Sequence, residues 1–356
     1  GYKSFRPGQE EIITKILNHQ HTLGVLPTGG GKSICYQVPG LMQGGTTIVI
    51  SPLISLMKDQ VDQLQAMGIQ AAYLNSSLTH KQQKEIEERI KRGAIQFLYV
   101  APERFENTFF LNLLRKIKIP LIAFDEAHCI SKWGHDFRPS YQSVIQKVFT
   151  LPQSFTIVAL TATATAEVQQ DIMSKLSIGQ NDVVKTSTKR RNLIFKVNPT
   201  YQRQKFVVDY VANHEGQAGI IYCSTRKQVE ELHEALNSEK IKSTIYHAGL
   251  TNKERIEAQN DFLYDRVEVV IATNAFGMGI DKSNVRYVIH YNMPGDLESY
   301  YQEAGRAGRD GLKSECILLF SERDKGLHEY FITVSQADDD YKDKMGEKLT
   351  KMIQYT

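Results

Sequence analysis

The stretch LGVLPTGGGKSICY, Leu23 to Tyr36, begins as an apolar strand and breaks into successive glycines before Lys32. Backbone N–H groups can close on a phosphate only where no Cβ intervenes, and the N-terminal end of a helix expected to begin near Lys32 attracts negative charge. The stretch predicts a phosphate-binding loop, with Lys32 on the β- and γ-phosphates and the Ser33 hydroxyl on Mg²⁺. The loop residues are Thr28, Gly29, Gly30, Gly31, Lys32 and Ser33.

An alternative for this stretch is an ordinary glycine-rich turn between a strand and a helix. The general phosphate-loop pattern requires a glycine where this chain has Leu26 and Pro27. Whether the loop binds a nucleotide therefore depends on the chemistry found elsewhere in the chain.

Composition and length set the outer limits of the interpretation. The chain has 356 residues, of which 41% are hydrophobic and 23% charged, so it is long enough for two domains that each bury a core. A net charge of +3 permits a polyanionic partner without indicating one. No apolar run approaches the length of a membrane span, and the first residues lack a signal-peptide pattern. The four widely spaced cysteines predict buried free thiols in a reducing compartment.

Short apolar runs alternate with segments of helical periodicity in two series. Runs that are apolar throughout and separated by helices predict parallel sheets covered on both faces, with ligands at the carboxyl ends of the strands. The fold class is therefore α/β. The first series of runs begins at Thr22, Thr46, Ala71, Phe97, Leu121 and Thr156, and the second at Ile194, Ala218, Ser243, Val267, Val285 and Ser314.

The two series predict two domains that are joined near residues 187–192, where the chain carries a basic run. We expect residues 1–188 to form the nucleotide-binding domain and residues 189–330 to form the second. Residues 331–356 read as the start of a C-terminal helical segment. That segment includes a helix from Lys344 to Tyr355 without an evident packing partner, which would leave an apolar face exposed.

Two adjacent acids, Asp125 and Glu126, stand at the carboxyl end of the fifth apolar run. Carboxylate oxygens suit Mg²⁺, and a second carboxylate can orient and deprotonate a water molecule. The pair predicts Asp125 as a Mg²⁺ ligand and Glu126 as the base for the attacking water. The alternative is acidic charge at the N-terminal turn of a helix or in a loop.

Arg306 and Arg309 lie in the segment QEAGRAGRDG, Gln302 to Gly311. Their spacing places both arginines on one helical face, with small residues between them that allow close approach. Arginines presented from a second domain can stabilise charge on a transferring γ-phosphoryl group, an effect on the order of 10³–10⁵ in rate. The alternative is a solvated basic face, which does not explain the glycines that bracket both arginines.

The N-terminal residues Tyr2, Arg6 and Gln9 precede the first predicted helix. The Gln9 amide carries a donor and an acceptor that suit an adenine edge, and Tyr2 and Arg6 carry planar groups that can stack on a base. An ordinary helix start with Pro7 in its first turn accounts for Pro7 equally well.

An aromatic-rich loop follows the two acids and contains Trp133, Phe137 and Arg138. Aromatic side chains with an interleaved arginine suit stacking on unpaired bases, worth about 1–3 kcal/mol per base. The alternative is a hydrophobic plug packed against the core. The direct sequence connection to Asp125 and Glu126 favours a role in nucleic-acid binding.

These elements, in this order and with LTATAT at Leu160 to Thr165 between them, resemble superfamily 2 helicases. The residues within these motifs resemble those of the RecQ family of bacterial type. In that family the phosphate loop has the sequence PTGGGKS, which accounts for the missing glycine. The matching blocks cover nearly the whole chain and are FRPGQ, PTGGGKS, SPLISLMKDQ, APER, DEAHCISKWGHDFRP, LTATAT, IIYCSTR, AFGMGIDK and YYQEAGRAGRDG.

The resemblance implies two tandem RecA-like domains that hydrolyse ATP with Mg²⁺, move 3′ to 5′ along single-stranded DNA and unwind duplex DNA in recombination, repair and replication. It implies a cytoplasmic, nucleoid-associated bacterial protein that acts as a monomer on single-stranded and 3′-tailed duplex DNA. In its residue assignments, Tyr2, Arg6 and Gln9 lie at the adenine, Asp281 at the ribose, and Gln302, Arg306 and Arg309 at the γ-phosphate.

Further DNA contacts are expected at strand ends, where hydroxyl groups and backbone amides can hold phosphates without reading sequence. Each of these residues is individually as consistent with a helix cap or a core polar group. Together with the aromatic loop, the expected contacts are Ser51, Lys58, Arg104, Trp133, Phe137, Arg138, Ser224, Arg226, His247 and Thr273.

Members of the RecQ family commonly continue into a zinc-binding helical subdomain and a winged helix. None of the four cysteines here matches a zinc position, so we expect no zinc site within these residues, and residues 331–356 resemble an incomplete start of that subdomain. This keeps a second function open, a DNA-stimulated ATPase that translocates with weak or no unwinding. A binding scaffold without turnover is disfavoured by Lys32, Asp125 and Glu126. The acids alone are also compatible with an RNA helicase, whereas the aromatic loop favours DNA.

Overall fold

The computed structural model describes residues 4–134, 137–187, 189–274, 276, 282–335 and 339–356. The chain divides into two compact units, Gly1–Lys189 and Arg190–Thr356. This division falls inside the basic segment where the sequence predicts the domain junction. Among the candidate site residues, Tyr2 and Asp281 lie outside the described residues.

Within the described part of the first unit, seven strands form a parallel sheet in the order β3-β4-β2-β5-β6-β1-β7. The strands are β1 (Thr22–Val25), β2 (Thr47–Ile50), β3 (Ala71–Leu74), β4 (Phe97–Val100), β5 (Leu121–Phe124), β6 (Thr156–Thr161) and β7 (Val183–Lys185). The helices are α1 (Gln9–Leu17), α2 (Ile34–Gln43), α3 (Ile54–Ala66), α4 (His80–Lys91), α5 (Thr108–Leu114), α6 (Pro139–Val148) and α7 (Ala166–Leu176).

Strand β2 shows why this sheet is covered on both faces. Side chains alternate between the two faces of a strand, so neighbours along β2 enter different layers. Ile48 and Ile50 belong to one apolar cluster, whereas Val49 between them belongs to the other. All of β2 is buried, which explains its continuous apolar run.

Within the described part of the second unit, six strands form a parallel sheet in the order β10-β11-β9-β12-β13-β8. The strands are β8 (Leu193–Pro199), β9 (Ala218–Tyr222), β10 (Ser243–Tyr246), β11 (Val269–Ala272), β12 (Val285–His290) and β13 (Ser314–Phe320). The helices are α8 (Arg203–Ala212), α9 (Arg226–Ser238), α10 (Asn252–Leu263), α11 (Leu297–Ala304), α12 (Glu322–Val334) and α13 (Asp339–Tyr355).

The C-terminal helices pack on the second unit. Helix α12 begins at a capping box formed by Ser321 and Asp324, and it runs through the boundary expected after residue 330. Helix α13 begins earlier than the expected Lys344 and buries Leu349 and Met352 against Met293 and its neighbours. The structure therefore supplies a packing partner for a helix that the sequence left without one.

All four cysteines are buried free thiols, as their spacing predicts. Burial raises the pKa of the Cys35 thiol to about 12, so this side chain behaves as an apolar core group. In the described parts of the chain, we find no helix with the length and apolar character needed to cross a membrane.

Candidate active site

The glycine loop follows β1 at the carboxyl edge of the first sheet. The Leu26 N–H donates to the Thr161 carbonyl at 3.0 Å, which continues the pairing with β6 for one more step. Beyond it the chain turns: Gly29 and Gly31 have φ values of 77° and 74°, and helix α2 begins at Ile34 with Ser33 as its N-cap. This left-handed backbone favours glycine and turns the loop toward the helix N-terminus, where an anion is stabilised.

Gln9 supports the loop from the N-terminal segment. Its buried side chain donates from Nε2 to the Gly30 carbonyl at 3.1 Å and to the Gly31 carbonyl at 3.0 Å. Its Oε1 accepts from the Arg6 backbone N–H at 2.8 Å, and the Arg6 guanidinium donates to the Gly29 carbonyl. These contacts brace the loop internally, and the expected contact of Gln9 and Arg6 with an adenine stays a prediction.

The two acids lie immediately beyond β5, at the same edge of the sheet. The Asp125 N–H donates to the Ile50 carbonyl at 2.9 Å, and the Tyr141 hydroxyl donates to the Asp125 carbonyl at 3.0 Å. Asp125 Oδ1 accepts from the Glu126 N–H at 3.0 Å, and Glu126 has a left-handed φ of 48°. The backbone thus changes direction between the two carboxylates.

The charge environment of Asp125 shows which groups surround it. Burial raises the pKa of Asp125 to about 7 and the Glu126 charge adds to the rise, whereas the Lys32 ammonium and a hydrogen bond from Ser51 oppose it. Lys32 from the glycine loop and Ser51 from the end of β2 therefore lie close to this carboxylate. The structure brings the predicted phosphate loop and the predicted acid pair together.

The donor set around Asp125 fits a magnesium ion bound with a nucleotide. Among the residues that the structure describes, no three or more His, Cys, Asp or Glu side chains group as a metal site. Mg²⁺ commonly needs no such group, because one or two carboxylates, a hydroxyl and the substrate phosphates complete its shell. A buried carboxylate disfavoured in its charged form gains most from a nearby divalent cation.

His128 connects the acids to the segment after β6, a link that the sequence interpretation missed. It lies buried, with Nδ1 at 3.3 Å from Glu126 Oε2 and at 3.1 Å from the Thr161 hydroxyl oxygen. The Thr161 hydroxyl in turn donates to the Thr163 carbonyl at 3.0 Å. The histidine within DEAH and the threonines of LTATAT were visible signals, but their pairing depends on strand order.

The arginine segment of the second unit follows α11. The sequence predicts that Arg306 and Arg309 lie on one face of a helix, and this prediction is wrong. Helix α11 ends at Ala304, and both arginines lie in the turns that follow it. Glycines at 305 and 308 end the helical path, the latter with a φ of 56°. Gln302 lies in the last turn of α11, partly buried.

Arg306 lies in the protein interior, not on a solvated basic face. Its exposed fraction is 6%, and it hydrogen bonds the Tyr222 hydroxyl. Burial raises the pKa of Tyr222, while the Arg306 charge opposes that rise. Tyr222 ends β9, so the carboxyl edge of this sheet holds the arginine segment in place.

The structure places the expected DNA contacts in unequal surroundings. Ser51 and His247 are buried, with exposed fractions of 1% and 4%. Lys58 pairs with Asp62 at 2.5 Å, and Arg104 pairs with Glu87 at 2.5 Å. His247 Nδ1 accepts from the Gly249 N–H at 3.2 Å. The structure thus shows structural partners for these four residues, and their contact with DNA stays a prediction.

The remaining expected contacts stand at strand ends. The Ser224 N–H donates to Asn292 Oδ1 at 3.0 Å just beyond β9, and Arg226 begins α9. The Thr273 N–H donates to the Tyr246 carbonyl at 3.1 Å beyond β11. Hydrogen bonds from their backbone N–H groups, to a side chain for Ser224 and to a backbone carbonyl for Thr273, therefore fix both residues at the sheet edge.

The aromatic loop is anchored to the first unit at several points. Trp133 is partly buried against the core, and Lys132 Nζ lies 4.1 Å from its ring centroid. Arg138 donates to the Pro52 carbonyl at 3.2 Å, and Phe137 is partly exposed. His135 and Asp136 lie outside the described residues. The partial burial of Trp133 leaves both the plug and the stacking interpretations open.

Comparison with known proteins identifies similar chains. The DEAD/DEAH box helicase family matches residues 6–172, and the Helicase conserved C-terminal domain matches residues 202–311. The chain is 49% identical over 356 residues to the ATP-dependent DNA helicase RecQ of Bacillus subtilis (strain 168), covering 100% of this chain and 60% of that protein. It is 43% identical to the probable ATP-dependent DNA helicase RecS of the same organism, covering 95% of this chain and 68% of that protein.

A solved structure supports the fold assignment. The structure of Mycobacterium smegmatis helicase Lhr bound to ssDNA and AMP-PNP matches with a TM-score of 0.74 at 16% identity, covering 98% of this chain and 54% of that chain. At this identity the likeness concerns the fold alone. With the two parallel sheets, it confirms the prediction of two tandem RecA-like domains.

Proposed function

The chain belongs to the RecQ family of DEAD/DEAH box helicases, and from this membership we propose that it is an ATP-dependent DNA helicase motor. In this proposal it moves 3′ to 5′ along single-stranded DNA and unwinds the duplex ahead, in recombination, repair and replication. The observation that carries the proposal is that the glycine loop and the buried Asp125 follow strands β1 and β5 at the same edge of one parallel sheet, with Lys32 close enough to lower the Asp125 pKa.

In the first unit, backbone N–H groups of the glycine loop bind the phosphates of ATP and Lys32 neutralises their charge. Ser33 and Asp125 would hold Mg²⁺, which when bound supplies a Lewis acid to the phosphate oxygens. Glu126 orients the attacking water and accepts its proton. The contact between His128 and Glu126 supports this role because it fixes the position of the carboxylate.

The adenosine is assigned to residues around the N-terminal segment. Arg6 and Gln9 hydrogen bond the backbone of the phosphate loop. An adenine bound beside these two side chains would therefore affect the position of the loop that binds the phosphates. We assign Tyr2 to the adenine as well and Asp281 to the ribose, on the RecQ motifs that contain them.

In the second unit, Gln302, Arg306 and Arg309 stabilise charge on the γ-phosphate during hydrolysis. The burial of Arg306 supports this assignment, because a buried guanidinium is weakly screened and its charge therefore acts strongly on a phosphate that comes near it. The proposal separates binding from turnover: the first unit binds ATP, and the arginines act on the reaction.

Single-stranded DNA is the proposed polymer substrate, and the aromatic loop with Trp133, Phe137 and Arg138 is the proposed sensor of its binding. Ser224, Arg226 and Thr273 contribute contacts from the second unit, where hydrogen bonds fix the backbone of Ser224 and Thr273 at strand ends and the side-chain hydroxyls remain the groups for phosphate. Ser51, Lys58, Arg104 and His247 remain in the proposal with the structural partners described above. The protein acts as a monomer on single-stranded and 3′-tailed duplex DNA in the bacterial cytoplasm, at the nucleoid.

A second candidate function is a DNA-stimulated ATPase that translocates with weak or no unwinding. All of this chain aligns with the Bacillus subtilis RecQ protein, but the alignment covers 60% of the length of that protein. Strand separation can depend on the parts of such relatives that have no counterpart in these residues. The two candidates share ATP hydrolysis and differ in its mechanical product.

The test measures ATP hydrolysis with and without single-stranded DNA, beside unwinding of duplexes with a 3′ tail, a 5′ tail or blunt ends. We expect hydrolysis to rise with single-stranded DNA and unwinding to require the 3′ tail. Stimulated hydrolysis without unwinding selects the translocase. Equal stimulation by single-stranded RNA would contradict the assignment of DNA as substrate.

The variant Glu126→Gln is the matched control for this test, because it removes the proposed base while keeping size and hydrogen bonding. It should bind ATP and DNA yet lose most turnover, by a factor of about 10²–10⁴. If hydrolysis is the same in this variant and in the original chain, the measured activity does not use Glu126 and the assignment of this residue as the base is contradicted.

A further inference from the structure

The turn that follows helix α11 carries backbone carbonyl groups that need partners. The helix ends at Ala304 and residues 305–308 continue as turns, so their carbonyls lack the N–H donors that a continuing helix would supply. The turn carries Arg306 and Arg309, the arginines assigned to the γ-phosphate. Whatever binds its carbonyls therefore also sets the direction of those two side chains.

Arg190, the first residue of the second unit, binds three of these carbonyls at once. Its Nη1 donates to the Gly305 carbonyl at 3.3 Å, and its Nη2 donates to the Ala307 carbonyl at 2.9 Å and the Gly308 carbonyl at 2.6 Å. A planar guanidinium can reach several acceptors in fixed directions, and a cation suits the negative end of a helix.

Asn192 fastens the same turn from a second point. Its Nδ2 donates to the Gly308 carbonyl at 2.8 Å and to the Leu312 carbonyl at 2.9 Å, and its Oδ1 accepts from Arg190 Nε at 3.2 Å. Its carbonyl accepts from the Ser314 N–H at 2.9 Å, where β8 and β13 begin to pair. Asn192 is thus rigidly attached to the sheet.

Gly308 shows independently that this packing is close. A Cβ at residue 308 would lie 2.5 Å from Asn192 Nδ2 and 2.7 Å from Ser314 Oγ, and its φ of 56° disfavours other residues. The Gly308 N–H donates to the Val285 carbonyl at 2.8 Å. The turn therefore has little freedom while Arg190 and Asn192 hold it.

From these contacts we propose that Arg190 and Asn192 are positioning residues for Arg306 and Arg309. They hold the backbone of residues 305–308 from the point where the chain enters the second unit, and they touch no substrate. The inference rests on the proposed function, since it matters for turnover only if these arginines act on ATP. A small displacement of such groups is costly, because a shift of about 1 Å can lower a rate about 10²-fold.

The test compares Arg190→Ala, Arg190→Lys and Asn192→Ala with Arg191→Ala in the full chain. Arg191 is the matched control, being adjacent, equally charged and exposed. With saturating single-stranded DNA, Arg190→Ala should lower kcat at least about tenfold while the KM for ATP stays within about twofold. Arg190→Lys should recover part of kcat, because it keeps the charge without the fork. Arg191→Ala should match the original chain.

Amide hydrogen exchange supplies a readout independent of turnover. In Arg190→Ala and Asn192→Ala, peptides that cover residues 305–312 should exchange at least about tenfold faster, while peptides from the β9 core, residues 218–222, keep their protection. Unchanged protection in the core shows that the unit is still folded.

The proposal is overturned if Arg190→Ala keeps its kcat, if Arg191→Ala loses as much, or if exchange at residues 305–312 is unchanged. It is also overturned if KM rises while kcat stays constant, because that result indicates lost ATP binding. Failure of the proposed function would give a different result, because the original chain itself would not hydrolyse ATP with single-stranded DNA. The two failures are therefore distinguishable.

Discussion

His128 Nδ1 lies 3.1 Å from the hydroxyl oxygen of Thr161. That hydroxyl donates its own proton to the Thr163 carbonyl at 3.0 Å, so its oxygen is available to accept a hydrogen bond from the imidazole. The same nitrogen is 3.3 Å from Glu126 Oε2. The imidazole therefore connects the proposed base to the segment that follows β6.

The variant His128→Ala should lower kcat for ATP hydrolysis about 10–10²-fold and leave the KM for ATP within about threefold. The reason is that Glu126 loses the contact that fixes its carboxylate, while the phosphate loop keeps its own support. Steady-state hydrolysis at saturating single-stranded DNA measures both constants.

A matched control for this histidine is His80→Ala, because His80 is exposed on α4. It should leave both constants unchanged. If Thr161→Val gives the same loss as His128→Ala, and the double variant loses no more, then the two residues act as one unit. An unchanged kcat in His128→Ala would show that the contact plays no part in hydrolysis.

Lys32→Ala and Arg309→Ala should separate binding from turnover. Lys32 neutralises phosphate charge in the ground state, so its loss should weaken ATP binding and stop hydrolysis. Arg309 is assigned to the charge that develops during the reaction, so its loss should retain ATP binding and lower kcat by about 10³-fold or more. Titration with a fluorescent ATP analogue and steady-state hydrolysis give the two quantities.

The control for both variants is Lys116→Ala, which removes an exposed cation of the first unit. Normal hydrolysis by Arg309→Ala would contradict the proposal that Arg309 of the second unit stabilises charge on the γ-phosphate. Equal losses of ATP affinity in both variants would mean that Arg309 contributes to ground-state binding.

Much of the fold was readable from the sequence because buried parallel strands are apolar throughout. The runs beginning at Thr22, Leu121 and Val285 each contain an observed strand, with a shift of a few residues at most. Strand β7 was missed because it has three residues and ends at a lysine, which gives too short a signal for periodicity. The packing of α13 was also hidden, since its partners come from distant parts of the chain.

The candidate site was predictable in its chemistry and less so in its geometry. Sequence placed Asp125 and the glycine loop at strand ends, and the sheet order brings them to one edge. It could not show that Gln9 supports the loop or that Arg306 is buried, because both depend on side-chain contacts between distant segments. Nor could it show how closely Gly308 packs against Asn192 and Ser314, which the glycine alone does not reveal.

Gly31→Ala should weaken ATP binding at least about tenfold. The new Cβ would lie 2.4 Å from Gln9 Nε2, and the φ of 74° is unfavourable for alanine by about 1–2 kcal/mol. Either the loop moves or Gln9 releases it, and both results disturb the phosphate-binding amides. Binding of the fluorescent ATP analogue measures the loss.

Gly68→Ala is the control that separates the two causes. Its φ is 78°, yet its Cβ would meet no atom within 4 Å, so it has the backbone cost without the clash. We expect both variants to unfold at a lower temperature and only Gly31→Ala to lose ATP binding. Similar ATP affinities in the two variants would show that the contact between Gln9 and the loop does not contribute to ATP binding.

Trp133→Ala should leave ATP affinity nearly unchanged and reduce the stimulation of hydrolysis by single-stranded DNA. If the ring stacks on a base, its removal should also weaken DNA binding by about 1–3 kcal/mol. The measurement is hydrolysis as a function of single-stranded DNA concentration, with DNA affinity from fluorescence anisotropy.

Phe109→Ala serves as the control for Trp133, since Phe109 is an aromatic of the first unit with an exposed fraction of 84%. It should change neither quantity. Unchanged stimulation in Trp133→Ala would favour the hydrophobic plug. In that case the variant should instead unfold at a lower temperature, because the ring packs against the core.

Asp324→Ala should destabilise the second unit by about 3–5 kcal/mol, because it leaves Arg203 without its buried counter-charge. Asp324 has an exposed fraction of 2%. It accepts from Arg203 Nη1 at 3.0 Å and also pairs with Nη2. Its oxygens further accept from Asn292 Nδ2 and the Met293 N–H, each at 3.3 Å. Urea unfolding of the original chain and the variant measures the difference.

The same network reaches a proposed DNA contact, so a second readout is available. Asn292 accepts from the Ser224 N–H at 3.0 Å while donating to Asp324, and loss of the carboxylate should therefore loosen the turn after β9. We expect Asp324→Asn, which keeps the size of the side chain, to fold better than Asp324→Ala and to need more DNA for half-maximal stimulation. Glu257→Ala breaks an exposed pair with Lys253 in the same unit and should have a much smaller effect on both measurements. Equal destabilisation by Glu257→Ala and Asp324→Ala would contradict the importance of the buried pair.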